Sequence, residues 1–94
     1  MKTKKYDITA IGECLIDFTS RDSKTGTLLY EGNAGGAPAN VLACASKMGD
    51  HTAIFSKVGQ DRFGDFLEET LSSIGIDTSG MIKSEEYPTT LAFV

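Results

Sequence analysis

Two adjacent glycines that lead into a mostly apolar run constrain this chain more than any other feature. Ala34-Gly35-Gly36-Ala37-Pro38-Ala39-Asn40 continues into Val41-Leu42-Ala43-Cys44-Ala45-Ser46-Lys47-Met48-Gly49. Pro38 suits the first turn of a helix, where its missing N–H costs nothing. Gly49 suits the position just past a helix end. The residues between are apolar nearly all round, which predicts a buried helix rather than an amphipathic one.

On either side the pattern is that of strands and one further helix. Tyr6–Thr19 reads as one strand with a kink near Gly12, because β-forming and apolar residues resume at Leu15, Ile16 and Phe18. The polar stretch from Ser20 to Gly26 is turn-like. A short strand over Thr27–Tyr30 is closed by Gly32 and Asn33, and Thr52–Val58 is another strand. Gly59-Gln60-Asp61 then forms a turn with Asp61 as the N-cap of a helix. Phe63, Phe66, Leu67, Thr70, Leu71 and Ile74 fall at spacings of three and four, one helical face, with Glu68 and Glu69 off it and Gly75 at the end. A last strand, Thr89–Val94, runs to the end of the chain, so the sequence reads as part of something longer. The order strand, helix, strand, helix, strand points to an α/β layer structure with a mainly parallel sheet.

Composition narrows the partners. Ninety-four residues suffice for one small domain. A net charge of -4 argues against nucleic acid or an anionic membrane surface, both of which repel negative protein. Lys2, Lys4 and Lys5 read as a solvated tail. No run approaches the ~20 apolar residues of a membrane helix, and the start does not read as a secretory signal. Cys14 and Cys44 lie in apolar stretches without Cys or His at metal-ligand spacing, so they read as reduced, buried residues of a cytoplasmic protein. His51 is the single histidine and no serine stands in a nucleophile motif, which leaves hydrolase triads poorly supported.

Two places could carry chemistry. At Gly35-Gly36 the backbone can approach a ligand closely, and the helix that follows points unpaired N–H groups at the same spot. Asn40, one turn in, offers a donor and an acceptor, which suits a sugar hydroxyl. An ordinary loop into a buried helix accounts for the same residues, and spacing alone leaves both readings open. The stretch is neither Gly-x-Gly-x-x-Gly nor a phosphate loop ending Gly-Lys-Ser/Thr. Asp17 lies in the apolar run Cys14-Leu15-Ile16-Asp17-Phe18, where burying an unpaired charge is costly. It is therefore expected at a strand end open to a cleft, either accepting bonds from hydroxyls or simply solvated. Glu13 is a weaker candidate for the same role.

Gly12-Glu13-Cys14-Leu15-Ile16-Asp17-Phe18 resembles the opening strand of the ribokinase/PfkB family of carbohydrate kinases, in its fructokinase-like branch. Gly35-Gly36-Ala37-Pro38-Ala39-Asn40-Val41 is similar to that family's first signature, with Gly49 and Gly59 at its later glycines. Lys57-Val58-Gly59-Gln60-Asp61-Arg62-Phe63-Gly64 and Thr89-Thr90-Leu91-Ala92-Phe93-Val94 also resemble fructokinases. Leu42 departs from the pattern, standing where a small Ala, Ser or Thr is usual.

The resemblance implies a ribokinase-like three-layer sandwich with a mainly parallel central sheet and a small β lid. Residues 1–94 would be its N-terminal portion, with lid strands near 17–30 and 89–94. It implies phosphoryl transfer from ATP, with Mg²⁺, to a hydroxymethyl group of a sugar. Asp17, Gly36 and Asn40 would hold the sugar, and Gly35 would let the backbone close behind it. The catalytic base and the ATP and Mg²⁺ sites would lie beyond position 94, and the lid strands of two subunits would pair in a homodimer. The Gly-Glu-x-Leu-Ile-Asp and Gly-Gly-Ala-Pro-Ala-Asn wording favours a hexose such as fructose. A kinase for 2-keto-3-deoxygluconate or a nucleoside is the runner-up. A non-catalytic sugar-binding or dimerising module is a further alternative, and the missing Gly-x-Gly-x-x-Gly counts against a dinucleotide-binding oxidoreductase.

Overall fold

The computed structural model describes residues 5–94, so Lys2 and Lys4 of the expected tail lie outside the described residues. In chain order the elements are β1 (Ile8–Ile11), β2 (Leu15–Arg21), β3 (Leu29–Gly35), α1 (Ala37–Lys47), β4 (Thr52–Gly59), α2 (Arg62–Ile74), β5 (Ile76–Ser84) and β6 (Thr90–Phe93). They form two three-stranded sheets. The first is parallel throughout, in the order β1-β4-β5. The second has the order β3-β2-β6, with β2 antiparallel to β3 and parallel to β6.

Both helices pack on one face of the parallel sheet, where Leu42, Ile54, Val58, Leu67, Leu71 and Ile76 make the core. The opposite face carries Ile11, Phe55 and Ile82, and Ile11 is 85% exposed. Parallel sheets are normally covered on both faces, so the described residues form two of the three expected layers. Leu42, the departure from the resemblance, is fully buried in this core. Burial of a leucine is worth about 1.5–3 kcal/mol, so the larger side chain is used for packing.

The two helices end as their sequences suggest. Asp61 caps α2, accepting from the Gly64 N–H at 2.8 Å, and Gly75 closes it in the left-handed region at φ 107°. Pro38 lies in the first turn of α1.

Other expectations need correction. Tyr6–Thr19 is not one kinked strand: β1 and β2 belong to different sheets, and the break falls at Gly12–Cys14. The strand expected at Thr27–Tyr30 begins at Leu29 and runs through Gly32 and Asn33 to Gly35. Gly32 does not end it, because its bare face accommodates the Phe18 ring across the ladder. α1 is not buried all round: Ala39, Leu42 and Ala45 face the core, while Val41 is 60% exposed. Cys44 is exposed for the same reason, and only Cys14 is buried, where desolvation pushes its thiol pKa up. The strand after α2 is β5, ahead of the Thr89–Val94 segment. Its Asp77-Thr78-Ser79-Gly80 stretch looks turn-like because it holds an irregularity, Ala53 pairing with Asp77 but Phe55 with Gly80.

Alternation divides the second sheet into two unlike faces. Phe18 stacks on Phe93 at 5.0 Å and meets Phe63 of α2 edge-on at 5.8 Å. Ile16, on that same face, is buried in the core. Asp17 and Thr19 alternate with them and so stand on the other face, beside Asn33 and Glu31 of β3.

Candidate functional site

The Gly-Gly turn is where the two sheets meet. Gly36 is the N-cap of α1, with φ 105° and ψ 138° and no side-chain cap. An L side chain rarely adopts that backbone, and a methyl group there would stand 2.5 Å from the Glu13 carbonyl oxygen. One built on Gly12 would stand 2.5 Å from Cγ of Pro38. The β1–β2 connection and the start of α1 therefore interlock through bare glycine backbone. Asn40 donates its backbone N–H to the Gly36 carbonyl at 3.0 Å, closing the first helical turn, and its side chain is exposed.

Asp17 is not at a strand end. It is the third residue of β2, the middle strand of its sheet, between Asn33 of β3 and Ala92 of β6. It escapes the penalty of burial because its face of the sheet is polar, and it remains half-buried. Its carboxylate lies directly against Gly35, where any side chain would collide with Oδ2. The first glycine of the pair thus makes room for Asp17, and the second sets the helix entry. On the same face Arg21 Nε donates to Glu31 Oε2 at 2.7 Å and holds that carboxyl below its usual range.

Asp17, Gly35, Gly36 and Asn40 accordingly share one neighbourhood, with Glu13 adjoining through its carbonyl. A cleft of about 360 Å³ lies alongside, bounded by Gly12, Glu13, Lys57, Ser84, Tyr87 and Thr90. It opens at the carboxyl ends of β1, β4 and β5, where ligands of open α/β sheets bind. Gly12 and Glu13 belong to both the cleft and the glycine turn. Sequence reasoning did not single out Lys57, Ser84, Tyr87 or Thr90 for this role. Lys57 near a strand's end was a readable signal, and Thr90 lay in a strand already read, whereas Ser84 and Tyr87 belong to β5, the strand that went unrecognised, and to the connection after it. Among the described residues no three or more His, Cys, Asp or Glu are grouped so that they could hold a metal ion. No described helix is long and apolar enough to cross a membrane.

Residues 5–94 match the model of the pfkB family of carbohydrate kinases. The chain belongs to that family. Its members are phosphotransferases, and their solved structures share the ribokinase-like α/β fold. PH1459 of Pyrococcus horikoshii, described as an uncharacterized sugar kinase, is 44% identical over 91 residues, covering 93% of this chain and 29% of the relative. Its crystal structure in complex with ATP superposes with a TM-score of 0.82, over 92% of this chain and 29% of that one. The fructokinase of Xylella fastidiosa superposes with a TM-score of 0.87 at 35% identity, covering 93% of this chain and 27% of its own. A 5-dehydro-2-deoxygluconokinase from Lacticaseibacillus casei is 32% identical over 89 residues, 87% of this chain and 26% of the relative. The chain thus spans under a third of the length of the pfkB relatives it matches.

Proposed function

We propose that the full-length protein phosphorylates a hydroxymethyl group of a sugar and that residues 5–94 supply part of the sugar site and its lid. ATP, with Mg²⁺, supplies the phosphoryl group; its site and the catalytic base belong to the part of the family that this chain does not span. Asp17, Gly35, Gly36 and Asn40 form the sugar-holding neighbourhood. The observation that carries this reading is the Asp17 carboxylate on the polar face of the second sheet, backed onto Gly35 and next to the N-terminus of α1. A carboxylate so placed accepts hydrogen bonds from two hydroxyls without taking a proton. The first-turn N–H groups at Gly36 and the Asn40 amide offer complementary donors. Positioning is most of what phosphoryl transfer asks of a protein. The second sheet acts as the lid, excluding water that would compete as acceptor. Its exposed Tyr30 and Phe93, which meet edge-on at 5.4 Å, provide an apolar surface for pairing two subunits, and the cytoplasm is the compartment proposed.

A neutral ketohexose such as fructose fits best, because Asp17 and Glu13 together disfavour an anionic substrate. An acidic deoxy-sugar is the second reading, favoured by the likeness to a 5-dehydro-2-deoxygluconokinase. A coupled ADP-release assay on the full-length protein, with ATP, Mg²⁺ and a panel of neutral and acidic sugars, decides between them. Turnover with fructose above that with the acid is expected. ADP release independent of every sugar would overturn the reading.

A further inference from the structure

We infer that Asp61 is a positioning residue that fastens the lid to the parallel sheet and thereby sets where Asp17 stands. Its consequence for sugar capture rests on the function proposed above.

An N-cap needs one hydrogen bond, and Asp61 makes three. Oδ1 accepts from the Gly64 N–H at 2.8 Å, the capping bond, and also from the Thr89 hydroxyl at 2.7 Å. Oδ2 accepts from the Thr89 N–H at 3.0 Å. The Thr89 hydroxyl in turn accepts from the Gly59 N–H, the last residue of β4, at 2.9 Å. Thr89 is only 4% exposed, so its donor and acceptor are both used away from water. These bonds hold the Asp61 carboxyl below its usual pKa range, those from Thr89 contributing most.

Two glycines are explained by the same knot. A side chain on Gly59 would collide with the Asp61 carboxylate and with the Thr89 backbone, and one on Gly64 with the Gly59 carbonyl. Four residues from two distant segments therefore close on one another with no room to spare.

What the knot ties is the root of β6. Thr90 begins that strand, and β6 lies parallel to β2 from Leu15 opposite Thr90 to Phe18 opposite Phe93. Ala92 thereby sits beside Asp17. At the same end of the lid, where Leu15 of β2 pairs with Thr90, the Gly12–Glu13 connection is already locked against Gly36 and Pro38. The knot at Asp61 and Thr89 is the second anchorage. With it loosened, the β6–β2 ladder beside Asp17 can open while β4 keeps its pairing with β1 and β5.

The test uses the full-length enzyme and three variants: Asp61→Asn, Thr89→Val and Thr89→Ser. Hydrogen exchange and steady-state kinetics are read on each. In Asp61→Asn and Thr89→Val, amides of Leu15–Phe18 and Thr90–Phe93 are expected to exchange about tenfold faster, with Ala53–Ser56 of β4 unchanged. The sugar KM should rise about tenfold while the ATP KM holds, the size expected for loss of a charged hydrogen bond. Thr89→Ser keeps both groups and should match the parent. Exchange that rises equally in both sheets, or nowhere, reduces Asp61 to a helix cap and overturns the inference. So does faster lid exchange with an unchanged sugar KM. A parent without sugar-dependent turnover contradicts the proposed function instead, and the exchange pattern alone then decides whether the fastening exists.

Discussion

Replacing Gly36 by alanine probes the junction on which both sheets depend. Two costs add. The backbone at φ 105° and ψ 138° lies where L residues are strained, at about 1–3 kcal/mol. The new methyl also stands 2.5 Å from the Glu13 carbonyl oxygen, a backbone atom that cannot swing aside. Overpacking of that kind costs about 1–3 kcal/mol more. The expected loss is about 2–6 kcal/mol, a large share of the 5–15 kcal/mol that typically holds a domain together. Gly49→Ala is the internal control: its φ of 98° imposes backbone strain, but nothing lies within 4 Å of the added carbon. It should cost only about 1–2 kcal/mol. Urea unfolding of parent and both variants, followed by far-ultraviolet circular dichroism, gives the three stabilities. If Gly36→Ala costs no more than Gly49→Ala, the Glu13 contact is not what requires glycine there.

Other outcomes follow from single features. In the folded 94-residue chain Cys44 should react with a thiol reagent at once and Cys14 only on unfolding, since one is exposed and the other buried; equal rates would contradict the packing of α1. Asp77 is held at about 2, below its usual 3.8, first by the Tyr6 hydroxyl and then by the backbone and side chain of Ser79. The unfolded chain takes up that proton first, so this stabilisation is complete above about pH 4 and fades as pH falls toward 2. Tyr6→Phe should bring the Asp77 carboxyl signal, followed by NMR titration, back toward the ordinary range; an unmoved midpoint would remove Tyr6 as the cause. Leu42→Ala should lower stability by about 2–5 kcal/mol in the same urea experiment, and a loss below 1 kcal/mol would mean that α1 repacks around a smaller residue.

Which parts of the fold could be read from the residues has a physical explanation. Asp61 and Gly75 bound α2 because capping and left-handed termination are local chemistry, written within a few positions. Strand partnership is not local. Nothing between Tyr6 and Thr19 says that Ile8–Ile11 will pair with β4 while Leu15–Arg21 pairs with β3. β5 was hidden for a similar reason: its irregular centre places polar residues and a glycine where a regular strand would alternate. Val41 and Cys44 look like core residues because composition does not say how many faces of a helix are covered. At the site, Asp17 and the glycine pair were legible as unusual residues in their contexts. Their division of labour was not, because the contact of Asp17 with Gly35 is made across the β2–β3 ladder. Thr89 gave no sign at all, since its role exists only when it meets Asp61.

The central claim is that Asp17 captures the sugar, and the most direct measurement is kcat/KM for fructose in the full-length enzyme with Asp17→Asn. Losing the charged acceptor removes hydrogen bonds worth about 1.5–3 kcal/mol, which predicts a ten- to hundredfold fall with the ATP KM unchanged. An Asp17→Asn enzyme that phosphorylates fructose as efficiently as its parent would place the sugar somewhere else.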